Sequence, residues 1–438
     1  MKHFLYISLF ALAVILTGCE GGSYGTSASA SVARLRAFGF AKNDTMPGLY
    51  AAVFTVEERN DTGLVWNKDS ILYGTSLEHV APRMTFAATP GAAWIKTPDT
   101  VCTLTGYDTL DFSKQPIYLT ILSSDKTVTK TYEIKASVHQ QDPDMYTWET
   151  LAEGFYDAQH DEQRVLELQY TFVLLSSNGS SIHVYQSNDG AIWNDLGSTN
   201  GLPAAAKIRQ VISDGERLYY GEGNTLYTST DAVSWTAHPV EYTIQTMLMY
   251  WNKQVWALID NNGYQFAYWK DDELQTIDLR PTSAFPVRDF ATVDYLSSSL
   301  REHALILGGK DKDGETLNTR WYIEYSSVIG YRLQEFSLGR DFPEIADASV
   351  VAYKNQLLLF GGADEQGGSL YSDIMVSADE GLNWTKADST KNRLPEQVRQ
   401  RKKQSAIVRD NYIYLFGGQD DTDTYSDVYR GKLNSIDW

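Results

Sequence analysis

The side chains whose types and spacing suit a chemical site are mostly basic. Lys207 and Arg209, Tyr242, Arg288 and Asp289, Asp347, and Arg399 and Arg401 each follow closely on a marked position: Leu202-Pro203, His238-Pro239, Phe285-Pro286, Phe342-Pro343 and Leu394-Pro395, respectively. A guanidinium presents parallel N–H donors that match a carboxylate in bidentate fashion. A ring with a basic majority is therefore suited to a carboxylate or a sugar acid. The same residues could instead solvate a water-filled channel or pair among themselves. The basic run Arg393 to Lys403, RLPEQVRQRKK, reads as a solvated loop beside such a ring. No cofactor is expected. No metal is expected either, since the histidines at 3, 79, 139, 160, 183, 238 and 303 show no ligand spacing.

For these residues to meet, the marks must belong to repeated elements. With Phe155-Tyr156 in the place of a sixth, they are separated by 47, 36, 47, 57 and 52 residues. Their mean of about 48 lies close to the period of a four-stranded propeller blade, in which the segment after each mark leads to an innermost strand facing the central axis.

Two further marks interleave. Apolar runs end at Gly308-Gly309, Gly361-Gly362 and Gly417-Gly418, as buried strands do before a sharp turn that needs positive φ. Ser187-Asn-Asp189-Gly190-Ala-Ile-Trp193, Ser229-Thr-Asp231-Ala-Val-Ser-Trp235 and Ser377-Ala-Asp379-Glu-Gly381-Leu-Asn-Trp384 form the second set. In each, a short acidic side chain can accept the N–H groups of its own turn, so Asp189, Asp231 and Asp379 read as structural rather than catalytic. The third unit lacks the paired glycines, and the third and fourth lack the tryptophan, with Leu274 and Leu333 in its place.

The apolar run with Gly-Gly resembles the kelch repeat, and the Ser-x-Asp turns resemble the Asp-box of sialidase-like propellers. The resemblance implies a six-bladed β-propeller. It does not bring an activity with it. Sialidases need an Arg-Ile-Pro segment, which is absent, and galactose oxidase needs a cysteine in its propeller, where this chain has none. Sialic-acid mutarotases of kelch type need little beyond an acid/base pair near an arginine, for which Glu396 with Arg399 could serve.

Ahead of the repeats, residues 1–18 hold a short apolar run ending in Leu16-Thr17-Gly18-Cys19. This resembles a bacterial lipoprotein signal, which would leave Cys19 lipidated in the cell envelope, most naturally at the outer membrane with the face undecided. Residues 19–31 read as lipid anchor and flexible tether. Residues 32–139 carry about seven short strands, suggesting an immunoglobulin-like β-sandwich in which Cys102 is a small core residue. Residues 140–144 read as a linker, and 145–438 as the propeller.

The strand at Trp148 has no blade before it, so it is expected to complete the last one by circular closure, although Trp438 has the spacing to supply that strand itself. The whole arrangement resembles Bacteroidota envelope lipoproteins of unassigned function, with an Ig-like domain before a kelch-like propeller. A net charge of −19 opposes nucleic acid as a partner. A glycan or protein ligand for the propeller is favoured over a carbohydrate-active enzyme, and oligomeric state is left open.

Overall fold

Short runs of alternating or wholly apolar residues broken by turn-forming Gly, Asn and Asp give strands almost throughout. The computed structural model describes residues 31–59, 62–104, 108–156, 162–282, 284–297, 302–336, 342–364 and 374–434. Among them are one short α-helix, Pro47–Ala51, and a single 3₁₀ turn, Ile208–Gln210. No helix among the described residues is long and apolar enough to cross a membrane. The chain divides into two compact units, residues 1–142 and 143–438.

In the first unit, six strands form one sheet in the order Phe54–Glu57, Thr62–Asn67, Thr129–Lys135, Ile117–Leu122, Ala92–Lys96, Val101–Thr103. Leu35–Phe40 pairs with Pro82–Phe86 in a second, two-stranded sheet. Tyr132 ties the two together. Its ring is buried on the large sheet, while its hydroxyl accepts the Leu35 N–H of the small one at 3.0 Å and donates to Glu58 at 2.6 Å. Gly63 makes room for that ring, because a Cβ there would fall 2.1 Å from it. Cys102 is a free thiol packed against this core. Burial first, and Asp108 second, push its pKa up, away from reactivity at neutral pH.

Among the described residues the second unit holds five antiparallel sheets. Four are four-stranded: Glu162–Leu168 to Asn194–Ser198, Ala291–Leu296 to Gly330–Glu335, Ser349–Tyr353 to Thr385–Lys386, and Ser405–Arg409 to Thr424–Leu433 with Tyr146–Glu153 added. The fifth is six-stranded, Ile212–Ser213 to Glu273–Thr276. Its strand Thr236–Trp251 changes partner along its length, pairing through Thr236–Pro239 and again at Ile244 with the strand before it and through Thr243–Trp251 with the strand after it. The first strands of the sheets line one central channel, the arrangement of a β-propeller. Serine hydroxyls stitch these inner strands together. Ser213 donates to the carbonyl of Glu167 and Ser349 to that of Gln404, while Ser405 accepts the Val165 N–H at 2.9 Å.

The ring is closed by the strand carrying Trp148, which pairs with Thr424–Leu433 from Tyr146↔Leu433 to Glu153↔Asp427. Trp148 lies across Gly431, where a Cβ would come within 2.4 Å of the indole. The residues from 435 on, Trp438 included, lie outside the described residues.

The entry marks pack the outer turns. Phe155 stacks on Trp193 at 4.5 Å, and Phe342 meets Trp384 at 5.7 Å. Each Ser-x-Asp turn is held in the same way. Asp189 accepts the N–H groups of Ala191 and Ile192, Asp231 those of Val233 and Ser234, and Asp379 that of Asn383. In each the indole N–H then donates back into the turn, to Gly190, Ala232 or Gly381. The Ile192 N–H above all holds the Asp189 carboxyl below its ordinary value.

Candidate functional site

Paired glycines bring neighbouring sheets close enough to build a site. At Gly308-Gly309, Gly361-Gly362 and Gly417-Gly418 both φ values are positive, between 50° and 105°. A Cβ on Gly308 would lie 2.2 Å from the carbonyl oxygen of Ile345, and one on Gly361 would lie 2.3 Å from that of Arg401. In that space the Gly309 and Gly362 N–H groups donate to the Ile345 and Arg401 carbonyls of the next sheet's entry, at 2.8 and 3.0 Å.

The residue after each pair then bridges to the entry of its own inner strand: Lys310 with Arg288, Ala363 with Ala346, Gln419 with Lys402. One residue further on, the chain adopts a left-handed conformation at Asp289, Asp347 and Lys403, with φ of 58°, 59° and 60°. Non-glycine residues seldom hold this conformation, and it concentrates at functional sites. The three are linked in series. Asp347 N–H donates to Asp289 C=O at 2.8 Å, Lys403 N–H to Asp347 C=O at 2.8 Å, and Arg209 Nη1 to Lys403 C=O at 2.9 Å.

This staircase rims a cavity of about 480 Å³ at one end of the channel. Among the described residues seven basic side chains line it against three acidic ones, in a chain whose net charge is −19. Arg209 faces Asp347 at 3.4 Å without a hydrogen bond between Nε and Oδ1, and both side chains are 9% exposed. Lys310 and Arg288 stand 3.9 and 4.0 Å from Asp289. Lys207 and Lys403 enter no ion pair within 4.0 Å among the described residues. Burial first, then the Asp347 carboxylate, push the Asp289 carboxyl above its ordinary value, while Arg209, Lys310 and Lys403 pull it down. Glu162 is likewise raised by burial, against the pull of Lys403 and Arg209.

Where the two ends of the channel meet, it is lined by an apolar collar of Val165, Ile212, Leu248, Val350 and Ala406, with Thr292 and Arg164 set into it. Past the collar a second cavity of about 660 Å³ opens at the other end. Glu167, Asp214, Glu216 and Asp294 line that end, with Arg164 as its only basic residue among the described residues. The channel therefore has a basic mouth and an acidic one.

Among the residues singled out in the sequence, Lys207, Arg209, Arg288, Asp289 and Asp347 line the basic cavity. Tyr242 does not. It packs with Val240 and Leu274 against a neighbouring core, because Thr236–Trp251 runs on without a break and reaches the channel only from Met247 to Tyr250. Arg399 pairs with Asp423 at 3.1 Å on the exposed surface, and Glu396 stands beside Arg393 there. Arg401 turns away into a bidentate pair with Asp427 at 2.6 and 3.0 Å, under the Tyr425 ring.

Sequence reasoning missed Glu162, Arg164, Lys310, Lys402 and Lys403. Lys310 could have been found as the residue that follows a glycine pair, and Lys403 as the neighbour of a named arginine. No group of three or more His, Cys, Asp or Glu side chains among the described residues is placed to hold a metal ion. No arrangement of nucleophile, acid and base is visible among the lining residues.

Residues 142–438 match the family described as the DUF6242 beta propeller domain, and residues 30–136 match the DUF6242 N-terminal domain, a domain of unknown function. The chain belongs to the DUF6242 family. No curated protein matches it. Among solved structures, one described as "Structure of YjhT" is similar at 12% identity, over 64% of this chain and 95% of its own, with a TM-score of 0.47. The basic cavity lies wholly within the DUF6242 propeller, and its left-handed residues Asp289, Asp347 and Lys403 belong to three successive sheets of it.

Proposed function

We propose that this DUF6242 chain is an envelope lipoprotein, anchored through Cys19, whose propeller is a recognition module for an anionic glycan or an acidic protein segment at its basic mouth. The basic cavity in an otherwise acidic protein carries this reading. Low-dielectric walls focus the field of such a cluster and raise the local concentration of an opposite charge. The volume lies within the ~300–1,000 Å³ common to small-ligand sites. Two finer readings go with it. The propeller has six blades, because the six-stranded sheet counts as two where Thr236–Trp251 changes partner. The first unit is an immunoglobulin-like sandwich, supported by its two facing sheets around one core. The anchor is tested by metabolic labelling with a palmitate analogue, which Cys19→Ser would abolish.

A glycan-array assay on the purified full-length chain tests the recognition site. Binding to acidic glycans that is lost in Arg288→Ala supports the reading, and the absence of any acidic ligand overturns it. The second reading is a carbohydrate-active enzyme. It draws on Glu162 and Asp289, whose raised carboxyls stand among arginines. Incubating each bound glycan and following it by NMR decides between the two, since a binding module leaves it unchanged.

A further inference from the structure

Arg164 stands apart from the rim. It is set in the apolar collar, lining both the basic cavity and the one beyond. Its Nε is buried without a hydrogen-bond partner, and no carboxylate lies within ion-pairing distance of it among the described residues. The nearby charge that acts on it is of like sign. Burial, and then the Arg209 guanidinium, push its pKa down to about 9, which still leaves it charged at neutral pH. A charge partly withdrawn from water beside another of the same sign is costly. An anion seated between the two would relieve that cost.

We infer that Arg164 and Arg209 form the seat of a terminal carboxylate, so that the ligand is a free sugar acid or a glycan chain end bearing one, inserted acid-first from the basic mouth. This rests on the recognition reading above and narrows its ligand. The planar fork of arginine matches a carboxylate edge to edge. Depth selects a chain end, because a uronic acid inside a polymer would have to carry chain through the collar on both sides. Polarity selects the direction of entry, since Glu167, Asp214, Glu216 and Asp294 repel an anion at the far mouth. The rim cations Lys207, Lys403 and Lys310 then steer the approach.

The test is calorimetric titration of the full-length chain with D-glucuronate, D-galacturonate, their methyl esters and inorganic phosphate, on wild type, Arg164→Gln, Arg164→Lys and Arg288→Ala. Thermal unfolding of each unliganded protein runs alongside. The expected result is that at least one hexuronate binds wild type and its ester does not. Arg164→Gln then weakens binding at least tenfold, Arg164→Lys recovers only part of it, and Arg288→Ala weakens it severalfold. Unliganded Arg164→Gln should melt at or above the wild-type temperature, which a merely structural arginine would not allow. Hexuronate binding that depends on Arg288 but is unchanged in Arg164→Gln overturns the seat and leaves the recognition reading standing. Binding of phosphate with the same Arg164 dependence, and of no hexuronate, overturns the carboxylate assignment. Failure of wild type to bind any of these anions, with no acidic glycan bound on the array, overturns the seat and the glycan form of the recognition reading.

Discussion

The backbone N–H of Asp347 donates to the carbonyl of Asp289 across 2.8 Å, while both residues hold φ close to +60°. The bond links two sheets at equivalent points, and Lys403 repeats the step in the next. Aspartate tolerates the left-handed region because its short side chain can bond locally, whereas lysine has no such compensation. Lys403→Asn should therefore leave stability about unchanged. Lys403→Val, which places a β-branched side chain at positive φ, should cost roughly 1–2 kcal/mol. Urea denaturation of the two variants checks this, and equal stability would show that the conformation carries no strain.

Paired glycines are under two constraints, conformation and space, that a third glycine separates. Gly215 has φ of +92° with nothing within 4 Å of a Cβ, while Gly361 has φ of +59° and the Arg401 carbonyl oxygen 2.3 Å away. Gly215→Ala should cost only about 1 kcal/mol, the conformational term alone. Gly361→Ala should cost more than about 3 kcal/mol, since the next sheet's entry must move as well. Melting temperatures of the two variants give the ratio directly.

Glu162 and Asp289 make the site sensitive to pH. Both carboxyls titrate above their ordinary values, chiefly through burial. A raised carboxyl pKa means that the native state keeps a proton the unfolded chain has released. The stability contributed by each group is thus full below the ordinary value near ~4 and falls as pH rises toward the raised one. Anion affinity follows the same sign, because protonation removes negative charge from the mouth. Hexuronate binding should tighten as pH is lowered from neutral toward the ordinary carboxyl range. Asp289→Asn should flatten that profile and raise affinity at pH 7 by up to about tenfold, roughly 1.4 kcal/mol. Titrations across this range would contradict the prediction if affinity fell monotonically with acid.

Trp148 and Gly431 make a matched pair in the closing strand. Trp148→Ala should cost about 3–5 kcal/mol by removing a large, partly buried aromatic. Gly431→Ala should displace the indole and expose the amides of Tyr146–Glu153 to exchange ahead of the rest. Hydrogen exchange by mass spectrometry would read either outcome.

How far the sequence could lead depended on what each mark constrains. Glycine pairs and Ser-x-Asp turns are local devices, satisfied by hydrogen bonds within a few residues or by one close approach, so their positions could be read directly. Phe155 and Phe342 mark where a chain packs on an outer tryptophan. They do not fix where the following strand begins, because the intervening loop differs in length. Asp289 comes three residues after Pro286, but Lys403 eight after Pro395. Arg399 and Arg401 were named where Lys402 and Lys403 line the cavity. Arg164 was out of reach for another reason. Its isolation arises from an apolar collar assembled from several sheets, which no local pattern records.

Closure of the ring by its first strand bears on how the protein is made. Thr147 and Asn434, whose side chains meet at 2.7 Å, are 287 residues apart in the chain. Tyr146–Glu153 is made well before Thr424–Leu433, the strand it pairs with. At about 5–20 residues per second it waits on the order of tens of seconds as an unpaired edge. Every other strand of the propeller can pair with a neighbour close to it in sequence. The interval before closure is thus when a nascent chain is open to pairing with another copy of itself, and when a holding chaperone would have most to protect.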